Sequence, residues 1–339
     1  MNSPKRLKAI PAGNADNLVL VYDKDTQGSL SRKVAFLLPW PEPGEAKRQP
    51  VDWPEETEAL FGTWGMPPLT AEVLERLPNL KVLFYGAGSV KALLSEEFFR
   101  RGIRLFTGAR GNAVPVAEYA LAQILLHLKG ISHLRVRSRA DWQHCDATNR
   151  HAYPGNYRSR VGLVSYGAIA RILRDRLRAF DHEVLVWDPY LSREEAKKEE
   201  VELVDRGALF RDCHAVSIHT PLLKETRAML GYEDILSMRR GGILINTSRG
   251  AVFDQHGLTR ALSERPDLVA VLDVLEKEPP EENDPIFALP NVHITPHVAG
   301  SMGPECARIG SLMEQAFDDY LAGRPSPLEV RGNDLARMA

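Results

Sequence analysis

Three polar residues, Arg249, Glu278 and His297, each stand just past a short apolar run that reads as a buried strand. The runs are Gly242 to Ile245, Leu268 to Val274 and Val292 to Ile294. In an open parallel sheet, ligands sit outside the carboxyl ends of the strands, so successive strands ending this way aim all three residues at one cleft. A cation, a carboxylate and an imidazole gathered there suit proton transfer to a bound carbonyl. Each residue alone has a plainer explanation: a solvated turn arginine, a loop acid before Pro279 and Pro280, and a satisfied core histidine. Their joint placement after consecutive strands favours a site.

The elements that must position this trio begin near Arg160, where strand and helix alternate as in a doubly wound sheet. Val161 to Val164 reads as a strand, Ser165 to Gly167 as a turn, Ala168 to Phe180 as a helix, and Glu183 to Trp187 as a strand ending at Asp188. The first such turn in a dinucleotide fold carries G-x-G-x-x-G, whose glycines let the backbone approach the pyrophosphate at a helix N-terminus. Here those places read Ser165, Gly167 and Ala170. The middle glycine is kept, alanine is an accepted third residue, and serine departs from the pattern at the first. Asp188 stands where a carboxylate hydrogen-bonds the ribose hydroxyls and repels a ribose phosphate, so the expected cofactor is NAD and not NADP. The alternative for Asp188 is a turn residue before Pro189.

The first 110 or so residues read as a smaller α/β unit. Leu18 to Tyr22, Val34 to Leu38, Leu80 to Tyr85 and Ile103 to Phe106 look like strands, with helices near Ala71 to Arg76 and Lys91 to Arg100. Pro39 to Pro54 and Asp141 to Arg160 read as loops. A long helix from about Val114 to Lys129 places Ala117, Leu121, Ile124, Leu125 and Leu128 on one face. The run Arg193 to Glu200 reads as a solvated helix face. No repeat or low-complexity tract is found.

At 339 residues, two domains are expected, and 44% hydrophobic with 26% charged residues is ordinary for a globular chain. A net charge of -2 offers no basic field for nucleic acid. The odd, scattered cysteines Cys145, Cys213 and Cys306 argue for a reducing compartment. Neither a secretory signal nor a membrane-length apolar run is present, so the expectation is a cytoplasmic protein that does not meet the membrane. His144, Cys145 and His151 fit no zinc spacing, and no metal is expected.

Four stretches carry a family resemblance: Val216-Ser217-Ile218-His219-Thr220-Pro221-Leu222, Ile245-Asn246-Thr247-Ser248-Arg249-Gly250, Leu272-Asp273-Val274 with Glu278-Pro279, and Thr295-Pro296-His297. In this order they resemble the D-isomer-specific 2-hydroxyacid dehydrogenases, the group containing phosphoglycerate, glycerate, formate and D-lactate dehydrogenases. The resemblance runs from about Leu80 to the helix after His297. It implies two Rossmann-like α/β domains with doubly wound parallel sheets and the active site in the cleft between them. One domain would span 112–304 and bind NAD. The other, 1–111 with 305–339, would take the substrate, the helix near Glu305 to Ala322 returning to it.

By the same resemblance, Arg249 binds the substrate, Glu278 is the acidic partner and His297 the acid/base. Asp273 holds the nicotinamide amide. Gly167, Ala168, Ile169, Asp188, Thr220, Thr247, Ser248, Arg249, His297 and Gly300 line the cofactor. The loop Gly86-Ala87-Gly88-Ser89 resembles the stretch whose amides take a carboxylate, with Ala87, Gly88 and Ser89 as substrate-binding residues. Ser89-Val90-Lys91 stands where many members carry a glycine and an aspartate. His219 either touches the cofactor ribose or is a strand-end histidine bonded to backbone.

These roles are physically consistent. Reducing a 2-oxo acid brings a hydride to carbon and a proton to oxygen, and an imidazole titrates near neutral pH. Arginine's planar fork polarises a carbonyl and grips a carboxylate, which lysine does less well. A homodimer is implied, with apolar surface around the long helix as its interface. Two alternatives stand beside this: a non-enzymatic, NAD-sensing scaffold like the C-terminal-binding-protein corepressors, and a dehydrogenase for another oxo-acid class, such as an amino acid or phosphonate. The side chain of the acid is not legible.

Overall fold

The computed structural model describes residues 6–44, 53–132, 138–143, 153–332 and 334. His144, Cys145 and His151 lie outside the described residues, as do residues 45–52 of the Pro39 to Pro54 loop and all of 144–152. In chain order the strands are β1 (Lys8–Ala12), β2 (Ala35–Phe36), β3 (Ala59–Gly62), β4 (Val82–Tyr85), β5 (Arg104–Thr107), β6 (Tyr157–Val164), β7 (Asp181–Trp187), β8 (Glu202–Leu203), β9 (Ala215–Ile218), β10 (Ile243–Asn246), β11 (Val269–Leu272), β12 (Val292–Ile294) and β13 (Glu329–Val330). They form two sheets, one in each of two units: Met1–Asn112 with Ser301–Ala339, and Ala113–Gly300.

The first unit's sheet runs β13-β5-β4-β3-β1-β2. Its pairs are parallel except β13 with β5, so an antiparallel edge strand closes an otherwise parallel sheet. Phe61, Phe84 and Phe106, on neighbouring strands, stack in a row with ring centroids 5.0 and 5.2 Å apart. Phe317 of helix Glu305–Leu321 meets Phe61 and Phe84 edge-on. That helix presses Gly310 onto helix Ala15–Val21, where a Cβ would lie 1.9 Å from the Val21 carbonyl oxygen, so only glycine fits.

One expectation for this unit fails and two strands were not anticipated. Leu18 to Tyr22 is not a strand: Ala15–Val21 is a helix, capped by Asn14, whose Oδ1 accepts the amides of Asp16 and Asn17. Leu18, Val21 and Tyr22 are buried while Leu20 is 43% exposed, a helical spacing that a five-residue apolar run conceals. The strands β1 and β3 went unread. β1 carries Pro11, which is tolerated because β2 pairs only with Lys8 and Ala9 and leaves no partner for the missing N–H.

The second unit's sheet is wholly parallel, in the order β12-β11-β10-β9-β6-β7-β8. Both faces of its central strands are buried, which is why they read as continuous apolar runs. Side chains alternate between two cores: Val216, Leu244 and Leu272 face one with helix Gln255–Glu264, whereas Ala215, Ile243, Ile245 and Val271 face the other with helix Ala168–Leu177. The long helix, Ala109–Leu128, buries Ala117, Ala120, Ile124 and Leu128 on the second side. It begins five residues before the expected start and takes Pro115 into its interior, at the loss of one intrahelical bond. The stretch read as a loop from Asp141 contains a turn of helix through Gln143 and the first residues of β6.

β6 lies between β7 and β9, so the chain leaves it toward one edge and returns to its other side. The crevice at the carboxyl ends of β6 and β9 is the switch point where such sheets bind ligands.

Candidate active site

β10 delivers Asn246, fully buried, to the start of a tight turn. Its Oδ1 accepts the amide of Ser248 at 3.0 Å and the Ser248 hydroxyl at 2.8 Å, while its Nδ2 donates to the Arg249 carbonyl at 3.1 Å. One side chain thus folds the turn and presents Arg249. Gly250 follows, and a Cβ there would sit 1.9 Å from the Leu275 carbonyl carbon. This close approach, open only to glycine, brings the arginine turn onto the segment that leads to Glu278. Arg249 is half-buried; desolvation lowers its pKa and the charge of Glu278 opposes that fall.

Glu278 and His297 meet directly. The Glu278 Oε2 lies 2.7 Å from His297 Nδ1, and its Oε1 accepts the Leu275 amide at 3.1 Å. An ionised carboxylate only accepts, so it selects the imidazole tautomer with hydrogen on Nδ1 and leaves Nε2 with no partner among the described residues. His297 occupies the left-handed region with φ 57. Its amide donates to the carbonyls of Asp273 and Thr295. Against this pair opens a mostly apolar cavity of about 620 Å³, lined among others by Leu275, Pro280, Ile286, Phe287 and Ile294.

Asp273, 2% exposed, accepts the Thr295 hydroxyl at 2.6 Å and the amides of Val298 and Ala299 at 2.8 and 2.9 Å. Its carboxylate therefore anchors the turn around His297, and Oδ2, with one bond, keeps a free lone pair.

The cofactor side gathers at the switch point. Ser165, with φ 71, holds the place of the first motif glycine in a conformation that glycine adopts without strain, and its hydroxyl lies 2.9 Å from that of Thr220 across the crevice. Gly167 caps helix Ala168–Leu177 with no side-chain cap, and open space lies where its Cβ would be. The first amides of this helix, at Ala168 and Ile169, are thus available to an anion. Asp188 accepts the Tyr166 amide on Oδ2 and those of Tyr190 and Leu191 on Oδ1. It is both a turn residue and a carboxylate at the end of β7, the two roles being compatible. Thr247 and Ser248 are buried at the end of β10, and Gly300 closes the unit.

His219, at the end of β9, has neither ring nitrogen bonded among the described residues, which disfavours the backbone-bonded alternative; burial pushes its pKa down to about 3 and keeps it neutral. The Thr247 hydroxyl is likewise without a partner among the described residues. Orphaned buried polar atoms at two strand ends beside an uncapped helix and an open glycine fit a dinucleotide.

In the first unit, the loop 86–89 follows β4. Gly86 donates to the Gly62 carbonyl and accepts the Thr63 hydroxyl at 2.9 Å, and the Ala87 amide is committed to Tyr85. The amides of Gly88 and Ser89 have no partner among the described residues. Sequence reasoning missed the positioning residues Asn246, Gly250 and Thr295. All three stand inside stretches that carry the family resemblance, but nothing in the sequence marks them as the residues that hold the turns.

Residues 121–299 match the model of the NAD binding domain of the D-isomer specific 2-hydroxyacid dehydrogenases. The chain is 30% identical to the D-3-phosphoglycerate dehydrogenase of Bacillus subtilis over 76% of its own length and 48% of the relative. It is 30% identical to the glyoxylate reductase of Korarchaeum cryptofilum over 77% of this chain and 79% of that one. A crystal structure of a phosphoglycerate oxidoreductase from Rhizobium etli superposes with a TM-score of 0.75 at 25% identity, covering 96% of this chain and 98% of that one. The chain spans about half the length of the phosphoglycerate dehydrogenases it matches. With strand order, motif order and whole-domain similarity in agreement, the chain belongs to the D-isomer specific 2-hydroxyacid dehydrogenase family and carries that family's NAD binding domain.

Proposed function

We propose that this chain interconverts small D-2-hydroxy acids and their 2-oxo acids with NAD(H), using His297 as acid/base, Glu278 as its partner and Arg249 as the substrate cation. The observation that carries the reading is the 2.7 Å contact between Glu278 and His297 Nδ1, which leaves Nε2 free beside a half-buried guanidinium's turn. Bound nicotinamide supplies or accepts the hydride at C2. Protonated His297 gives its Nε2 proton to the carbonyl oxygen during reduction, and neutral Nε2 takes the hydroxyl proton during oxidation. Arg249 holds the developing negative charge on that oxygen and grips the carboxylate. The free amides of Gly88 and Ser89, in the Ala87 loop, add donors for the carboxylate. Asp188 selects NAD through the ribose, with Thr220, Thr247, Ser248 and Gly300 lining the cofactor, and the spare lone pair of Asp273 accepts from the nicotinamide amide.

The first unit, in this reading, sets which acid is taken. In this reading the protein is cytoplasmic, which suits the free thiols of Cys213 and Cys306, and homodimeric, the supporting feature for the dimer being Leu126, Ile131 and Tyr157, which are 49%, 53% and 64% exposed near the end of the long helix and the start of β6.

The test is a panel of glyoxylate, hydroxypyruvate, pyruvate and branched or aromatic 2-oxo acids, followed by NADH oxidation and run beside NADPH, with oligomeric state measured by sedimentation. Turnover of at least one acid with NADH is expected, falling as pH rises because reduction consumes a proton. NADH binding without any turnover would favour an NAD-sensing scaffold.

A further inference from the structure

We infer that Tyr119 and Thr295 form a hydroxyl relay that positions the His297 turn through Asp273, making both residues positioning residues for proton transfer. The inference rests on the proposed role of His297. The Thr295 hydroxyl lies between two partners: it donates to Asp273 Oδ1 at 2.6 Å and stands 3.1 Å from the Tyr119 hydroxyl. A hydroxyl has a single proton, and that of Thr295 is given to the carboxylate. Tyr119 must therefore be the donor to Thr295, which fixes the direction of the chain: tyrosine to threonine to aspartate. Burial raises the Tyr119 pKa, so the phenol keeps its proton across the neutral range.

The receiving end of this chain is the catalytic turn. Val298 and Ala299, directly after His297, donate to Asp273, and Thr295, two residues before it, does the same. The Asp273 carbonyl also accepts the His297 amide at 2.9 Å. A left-handed histidine is thus clasped on both sides by one buried residue. Glu278 orients the ring about its own axis, whereas Asp273 fixes the backbone from which the ring projects. Tyr119, on helix Ala109–Leu128, ties this turn to the longest helix of the fold. Without the tyrosine donor, the threonine hydroxyl is free to turn away and the carboxylate loses one of its three donors.

The test compares Tyr119→Phe, Thr295→Val and Thr295→Ser with the wild type, in the full chain. In Thr295→Val, kcat should fall about tenfold and in Tyr119→Phe about threefold, in keeping with loss of a buried charge-assisted or neutral hydrogen bond. The KM for the acid should stay within about twofold, since neither residue is asked to bind it. The solvent deuterium isotope effect on kcat should rise in both, because a misplaced imidazole makes proton transfer slower relative to the other steps, a change that a smaller folded fraction would not produce. Thr295→Ser should restore kcat to within about twofold of wild type. Wild-type kcat and isotope effect in Thr295→Val, beside an inactive His297→Ala enzyme, would overturn the relay alone. So would a Thr295→Ser enzyme as slow as the valine variant, since the methyl and not the hydroxyl would then matter. An active His297→Ala enzyme would instead overturn the parent reading of the site.

Discussion

The turns at the carboxyl ends of β10 to β12 and the loop 86–89 after β4 are built on opposite plans. In the first region the side chains that shape the turns are committed: Asn246 ties three atoms of its own turn, Glu278 holds both Leu275 and His297, and Asp273 takes three donors. In the second, Thr63 supplies a side-chain bond to Gly86, and the amides of Gly88 and Ser89 are uncommitted. Proton and hydride transfer lose rate steeply with small misplacements, so the groups proposed to do chemistry are over-determined. A loop proposed to greet the acid can be left adaptable.

Substitutions that break this contrast should separate rate from affinity. Arg249→Lys should have the largest effect, a fall in kcat/KM of about a hundredfold, because an ammonium replaces a planar fork in a turn shaped for it. Steady-state kinetics with the best acid of the panel will show it; a fall below about threefold would mean that the guanidinium geometry is idle. Thr63→Val should instead raise KM for the acid roughly threefold to tenfold with kcat nearly unchanged, since it frees the Gly86 carbonyl and loosens only the loop. A drop in kcat with KM constant would erase the distinction between the two regions.

A control away from both is Asp267, whose pKa is held at about 2 by Arg265 and the Gly241 amide. Its folded value lies below the unfolded one, so its contribution to stability is present above about pH 4 and is lost as pH falls toward 2. The pair is partly exposed and screened, and Asp267→Asn should lower the melting temperature by only about one to three degrees at pH 7. The difference should vanish near pH 2, with kcat unaffected at neutral pH.

The plan of the molecule was legible where strands are buried on both faces. β10 and β11 read clearly because burial on both faces makes their runs almost continuously apolar, and the abrupt arrival of Arg249, His297 and their neighbours after such runs marked the site. The first unit was harder. In β1 and β3, short runs broken by Pro11 and Gly62 carry too little period to read, and Leu18 to Tyr22 looked like a strand until the Asn14 cap and its buried spacing were seen. Ser165 read as a blemish in the glycine motif; its positive φ and its bond to Thr220 explain what the missing glycine normally provides and what serine supplies instead. The relay could not be read at all, since Tyr119 and Thr295 stand 176 residues apart and Thr295, although it opens the Thr295-Pro296-His297 stretch, carries no sign there of a tyrosine partner.

The central claim is that one nitrogen, Nε2 of His297, moves the proton. The most direct measurement is single-turnover oxidation of bound NADH by a 2-oxo acid in His297→Ala, with NADH affinity followed by fluorescence in the same samples. The account predicts wild-type affinity and a rate lowered by about a thousandfold or more; NADH consumed at the wild-type rate would contradict it.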